Sequence, residues 1–182
     1  MKKYQIIYAD PPWSYDDVKG HDPAMGGLTY PSMTDQEICD MVYELRKYCA
    51  ENCALFLWVT MPKLDIAFKV MKAWGFDYVT CAFTWVKQNK SGDGIYSGLG
   101  HWTNGNAELC LFARRGSPKR IAKDVKQIIL APVARHSAKP SEVRDRIVSL
   151  MGDLPRLELF ARQKIDGWDV WGNEVESDII LA

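Results

Sequence analysis

The chain has 182 residues, 47% hydrophobic and 25% charged, and its 23 basic and 23 acidic residues give a formal net charge of zero. This composition predicts one globular domain, residues 1–182, around a substantial apolar core; it excludes a polyelectrolyte, a low-complexity chain and a disulfide framework. The apolar stretch after Met1-Lys2-Lys3 ends already at Asp10, too short for a signal peptide or a membrane span, so a cytoplasmic protein without a membrane partner is expected.

Tyr4 to Ala9 reads as a buried strand whose carboxyl end is closed by Asp10-Pro11-Pro12, because proline has no N–H to give to a sheet. Residues 16–32 are rich in Gly, Asp, Pro and Lys and predict a long loop. Thr34 and Glu37 match a capping box, after which Ile38, Met41, Val42, Leu45 and Cys49 recur at helical spacing. A strand follows at 55–60, then a helix with Ile66, Ala67, Val70, Met71 and Trp74 on its apolar face and Gly75 at its end. Further strands are predicted at 79–87, 107–113 and 125–130. A helix opened by Pro140 and Ser141 runs to Gly152, and Leu157 to Phe160 is the final short strand. Strands alternating with helices indicate an α/β sheet covered on both faces, with ligands bound beyond the carboxyl ends of its strands. Cys39, Cys49, Cys53, Cys81 and Cys110 fall mainly in apolar segments. They read as reduced core thiols, and no pairing at ligand spacing completes a metal site.

The chemistry gathers at Asp10-Pro11-Pro12-Trp13. An exocyclic amine on a purine is a poor nucleophile, because its lone pair is delocalised into the ring. Two acceptors set against its N–H bonds pull the nitrogen toward tetrahedral geometry and free that pair. The Asp10 carboxylate supplies one, and the Pro11 carbonyl, held rigid by successive prolines, supplies the other. Trp13 offers a π-face on which a base extruded from its stack can rest. A strand-ending turn with a packing tryptophan is the competing reading of the tetrapeptide. Arg114, Arg115, Lys119, Arg120, Lys123 and Lys126 crowd residues 114–126, and read either as a solvated face or as a surface that follows phosphates.

Several further motifs stand in order: Tyr30-Pro31-Ser32-Met33-Thr34, Leu55-Phe56-Leu57-Trp58-Val59, Trp85-Val86-Lys87, Gly100-His101-Trp102, His136-Ser137-Ala138-Lys139-Pro140, Leu157-Glu158-Leu159-Phe160-Ala161-Arg162 and Trp171-Gly172-Asn173-Glu174. With the catalytic turn, this series resembles the adenine-N6 methyltransferases marked by Asp-Pro-Pro-Trp, a family that includes the catalytic subunit of the eukaryotic mRNA enzyme and bacterial and phage DNA enzymes. The resemblance implies a Rossmann-like fold of permuted motif order and S-adenosyl-L-methionine as cofactor. It implies catalysis by Asp10, Pro11, Pro12 and Trp13, and a cofactor pocket lined by Asp10, Lys139, Arg162, Asn173 and Glu174. Lys139 and Arg162 would answer the methionine carboxylate, and Asn173 and Glu174 the ribose hydroxyls. The substrate side is expected to involve Trp13, Tyr30, His101, Trp102, Arg114 and Arg115. The expected substrate is nucleic acid, DNA before RNA, and the expected assembly a homodimer or heterodimer of bacterial or phage origin. Two departures from the eukaryotic pattern bear on cofactor affinity. Only nine residues precede Asp10, and Glu174 stands where the mRNA enzyme has glutamine.

Overall fold

The computed structural model describes residues 1–15, 31–98, 100, 102–133 and 138–181. The 16–32 loop therefore lies almost wholly outside the described residues, as do Tyr30, His101, His136 and Ser137. Strand β1 is Tyr4–Ala9, at the bounds its apolar run predicts. It is followed by α1 (Asp35–Asp40), α2 (Val42–Leu45), β2 (Cys49–Val59), α3 (Leu64–Ala73), β3 (Asp77–Gln88), β4 (Glu108–Arg115), β5 (Ile128–Pro132), α4 (Glu142–Met151), β6 (Arg156–Leu159) and β7 (Asp169–Trp171). No helix among the described residues is long and apolar enough to cross a membrane.

These strands form one sheet in the order β5-β3-β4-β2-β1-β6-β7. All neighbours are parallel except β4, which runs antiparallel to both β2 and β3. Period-2 alternation divides the core between two faces. Ile7, Leu55, Leu57 and Val59 pack with Ile38, Val70, Met71 and Trp74 of the α1–α3 side. Ile6, Tyr8, Phe56 and Trp58 pack with Val143, Ile147 and Met151 of α4. Each fully buried aliphatic or Phe side chain contributes roughly 1.5–3 kcal/mol, so β1 and β2, apolar on both faces over their buried stretches, anchor the sheet. The α/β architecture covered on both faces is the one the alternating pattern predicts.

Three differences from the sequence expectation have physical causes. The helix opened at Thr34 does not reach Cys49: it breaks at Met41, and Cys49 instead begins β2 opposite Tyr4, whose N–H donates to the Tyr48 carbonyl at 2.7 Å. Sheet pairing overrides helical periodicity there. Strand β5 is shifted to Ile128–Pro132 because Thr84 to Gln88 of β3 set its register. Leu157 to Phe160 is not the last strand, since β7 follows and pairs with β6 through Leu157↔Asp169 to Leu159↔Trp171. With only Val170 buried in β7, no apolar run announces it.

Both halves of the predicted capping box are present: the Glu37 amide donates to Thr34 Oγ1 at 3.2 Å and the Thr34 amide to Glu37 Oε2 at 2.7 Å. Thr34→Ala is expected to cost about 0.5–2 kcal/mol, read as a lower urea midpoint with an unchanged slope.

Candidate active site

The carboxyl ends of β1, β2, β6 and β7 open on a cleft of about 380 Å³, lined among others by Asp10, Pro11, Pro12, Trp13, Lys139, Arg162, Asn173 and Glu174. Every residue expected to be catalytic or to hold the cofactor thus meets in one cavity, whose size suits a small-molecule ligand. The reversed direction of β4 brings its first residue, Glu108, to the same end of the sheet, where it is also part of the lining.

The Asp10–Trp13 turn is fixed by hydrogen bonds on both sides. The Trp13 amide donates to the Pro11 carbonyl at 2.9 Å, the Met33 amide to the Pro12 carbonyl at 2.9 Å, and Trp13 Nε1 to the Trp58 carbonyl at 3.1 Å. A carbonyl oxygen can accept twice, so Pro11 keeps capacity for a substrate N–H. Trp13 departs from expectation. It is only 5% exposed and its indole nitrogen is committed to β2, so it is a wall of the cleft and an anchor of the turn, not a broad open face. Tyr15 is a half-buried aromatic on the lining, as are Phe160 and Trp171; its hydroxyl meets Thr60 Oγ1 at 2.5 Å, and the Lys63 ammonium lies 5.8 Å from its ring centroid.

At the floor, Lys139 Nζ donates to Asp10 Oδ2 at 2.7 Å and lies 3.2 Å from Glu108 Oε2. Lys87 Nζ lies 2.5 Å from Glu108 Oε1. Burial raises the Asp10 carboxyl above its ordinary value; the Lys139 charge and hydrogen bond pull it down, as does Arg162, while Glu108 adds to the rise. Burial would also raise Glu108, but Lys139 and Lys87 outweigh it and hold that carboxyl below the usual range. The Lys139 ammonium is penalised by burial, yet Asp10 and Glu108 hold it well above an ordinary lysine, so it stays charged at all physiological pH. Lys139 was expected only as a cofactor ligand; its observed partners are the two carboxylates.

On the opposite wall, Arg162 Nε lies 3.6 Å from Glu174 Oε1. The backbones at the carboxyl ends of β6 and β7 close tightly here: the Ala161 amide donates to the Trp171 carbonyl at 3.0 Å, and a Cβ on Gly172 would run into the Ala161 carbonyl. Phe160 takes a left-handed φ of 61°, an unfavourable region for an aromatic residue, with its ring set edge-on to Trp171. Glu158, which could have paired with Arg162, is instead held by Arg144 of α4 through Nε at 2.7 Å and Nη2 at 2.5 Å.

Three expected substrate contacts are not brought into the cleft lining. Arg114 and Arg115 end β4, opposite Ala54 and Cys53. Because β4 runs antiparallel, they lie at the far end of the sheet from Asp10 and outside the cleft lining. Trp102 lies on the connection between β3 and β4, on the cleft's side of the sheet, 98% exposed and outside the cavity lining. Conversely, Glu108 and Lys87 were missed as site residues. An acid at the head of an apolar strand was the available signal, but only the strand's direction gives it meaning.

The MT-A70 family model matches residues 4–174. The chain belongs to the MT-A70 family. It is 31% identical over 197 aligned positions to the type II methyltransferase M.MunI of Mycoplasma sp, covering 98% of this chain and 81% of that protein. It is 30% identical to the N(6)-adenosine-methyltransferase subunit METTL3 of Danio rerio and 29% identical to the catalytic subunit METTL3 of Homo sapiens, in each case over all of this chain but 30% of theirs. The fold and these likenesses make it a methyltransferase. Gly172→Ala is expected to cost about 1–3 kcal/mol, as crowding of a packed backbone does, measured by chemical denaturation.

Proposed function

We propose that this methyltransferase transfers a methyl group from S-adenosyl-L-methionine to the N6 amine of adenine in DNA. The observation that carries the reading is the convergence of Asp10, held by Lys139, with the rigid Pro11 carbonyl at one end of a cleft whose other wall presents Arg162, Asn173 and Glu174. That donor and acceptor set fits the cofactor: cations suit its carboxylate, and Asn173 with Glu174 suits vicinal ribose hydroxyls. When bound, the cofactor supplies an electrophilic methyl on a sulfonium.

The chain's own residues do the rest. Asp10 and the Pro11 carbonyl accept the two amine N–H bonds and orient the nitrogen lone pair along the line of attack, which is positioning and electrostatics. Asp10 is the acceptor for the proton that the nitrogen must shed after it gains the methyl. Its burial above the ordinary aspartate range makes it a better base than a solvated carboxylate. Tyr15, on the lining near the turn, is the aromatic against which the base rests; such stacking is worth about 1–3 kcal/mol per base. DNA is favoured over RNA because M.MunI is matched along 81% of its length, whereas the METTL3 proteins are matched along 30% of theirs.

The test is labelled methyl transfer to duplex DNA, single-stranded DNA and RNA, with nucleoside digestion to locate the methyl. N6-methyladenine made in DNA by wild type is expected, and product in RNA alone would overturn the choice of polymer. Asp10→Asn should lose about 10²–10³-fold or more in rate while cofactor binding by calorimetry persists. The raised Asp10 carboxyl taken alone would favour folding below its unfolded pKa, but Asp10→Asn also strips the buried Lys139 ammonium of one of its carboxylates, so the variant should melt lower than wild type at pH 7; substantial transfer by this variant would remove Asp10 from its role.

A further inference from the structure

Lys87, Glu108, Lys139 and Asp10 form a chain of alternating charge at the base of the cleft, with separations of 2.5, 3.2 and 2.7 Å. The four come from the carboxyl end of β3, the amino end of β4, the connection after β5 and the end of β1. Glu108 and Lys139 expose only 7% and 8% of their side chains, so the interaction is little screened by solvent.

An ammonium bonded to a catalytic carboxylate has two opposed effects. It keeps the carboxylate ionised and oriented, and it drains the negative charge that a substrate N–H must find there. If Asp10 alone neutralised Lys139, the pair would be tight and Asp10 a weak acceptor. The structure supplies a second carboxylate for the same ammonium. Glu108 in turn is shared with Lys87, so its hold on Lys139 is partial.

We propose that Glu108 is a positioning residue for methyl transfer: it draws the Lys139 ammonium partly away from Asp10, leaving the catalytic carboxylate ionised but still able to accept from the substrate amine, with Lys87 setting how strongly it does so. This rests on the reading of Asp10 given above. The charged and titratable groups that act on Asp10 are Lys139, Glu108 and Arg162, with Arg144 and the neutral Cys110 thiol beyond them. Arg144 is committed to Glu158 and Arg162 pairs with Glu174, so Lys139 and Glu108 are the pair that a substitution can rebalance.

Glu108→Gln keeps the shape and removes the charge. With Lys139 left to Asp10, the acid limb of the kcat profile should move to lower pH, and kcat on the plateau should fall about tenfold or more, a fraction of the 10²–10⁴ that a positioned base contributes. Cofactor affinity by calorimetry should fall by less than kcat does, since Arg162, Asn173 and Glu174 keep their places on the opposite wall. Lys87→Met should act with the opposite sign: Glu108 then turns wholly to Lys139, and the acid limb moves to higher pH. A merely structural ion pair would lower the melting temperature in both variants and move neither limb. Unmoved limbs, or limbs displaced in the same direction, would overturn the proposal. Should Glu108→Gln fail to fold, the sign of the Lys87→Met shift decides alone. Asp10→Asn separates the two readings: if it stays active, the role of Asp10 falls, and if it is inactive while both limbs stay in place, only the role of Glu108 does.

Discussion

Lys139 is a charged ammonium in a place that should not tolerate one, and the site is organised around that fact. Moving a lone ammonium from water to a protein interior costs several kcal/mol even after relaxation, and here the cost is met by carboxylates from two separate strands, Asp10 after β1 and Glu108 at the head of β4. Lys139, just ahead of α4, is the side chain that joins these two strands at the cleft floor. The strands on either side of it are locked in place by the same requirement. A buried pair of this kind contributes little net stability, but breaking it is expensive, which is how it imposes one geometry on the cleft floor.

The second constraint is the rigidity of the Asp10–Trp13 turn. Two prolines restrict φ and leave no N–H to wander, and the hydrogen bonds to Met33 and Trp58 tie the turn to the next segment and to β2. Asp10 is thus presented by a backbone with almost no freedom, while its carboxylate is steered by a side chain from the other half of the sheet. Methyl transfer depends on alignment more than on chemical assistance, and a turn this constrained supplies alignment before any ligand arrives.

Much of this was readable from residues alone, and the limits are informative. Tyr4–Ala9, the helix that ends at Gly75 and the helix that ends at Gly152 were visible because apolar period and terminating glycines agreed. The residues that resemblance assigns to a cofactor fall together on the lining of one cleft. What escaped depends on strand direction and burial, which no single sequence states. Arg114 and Arg115 read as a substrate surface, and the reversed β4 sets them at the far end of the sheet from the cleft. Glu108 looked like an unremarkable acid, and the same reversal carries it in. Trp13 looked like a platform until the Trp58 carbonyl claimed its nitrogen. Strand β7 has too few residues for any period to register.

The reversed β4 has one more effect. Since β3 and β4 form a hairpin, their connection, residues 89–107, emerges on the cleft's side of the sheet, and it carries the fully exposed Trp102. Its two ends are clamped together: Asn106 accepts from the Lys87 amide at 2.9 Å and donates to the Lys87 carbonyl at 2.9 Å. Whatever happens to the length or composition beyond that clamp is mechanically isolated from the ion pairs that start at Lys87 and Glu108. Such a segment can be lengthened, shortened or rewritten while the reacting groups stay where they are, so a protein built this way can change what it reads without relearning how it reacts.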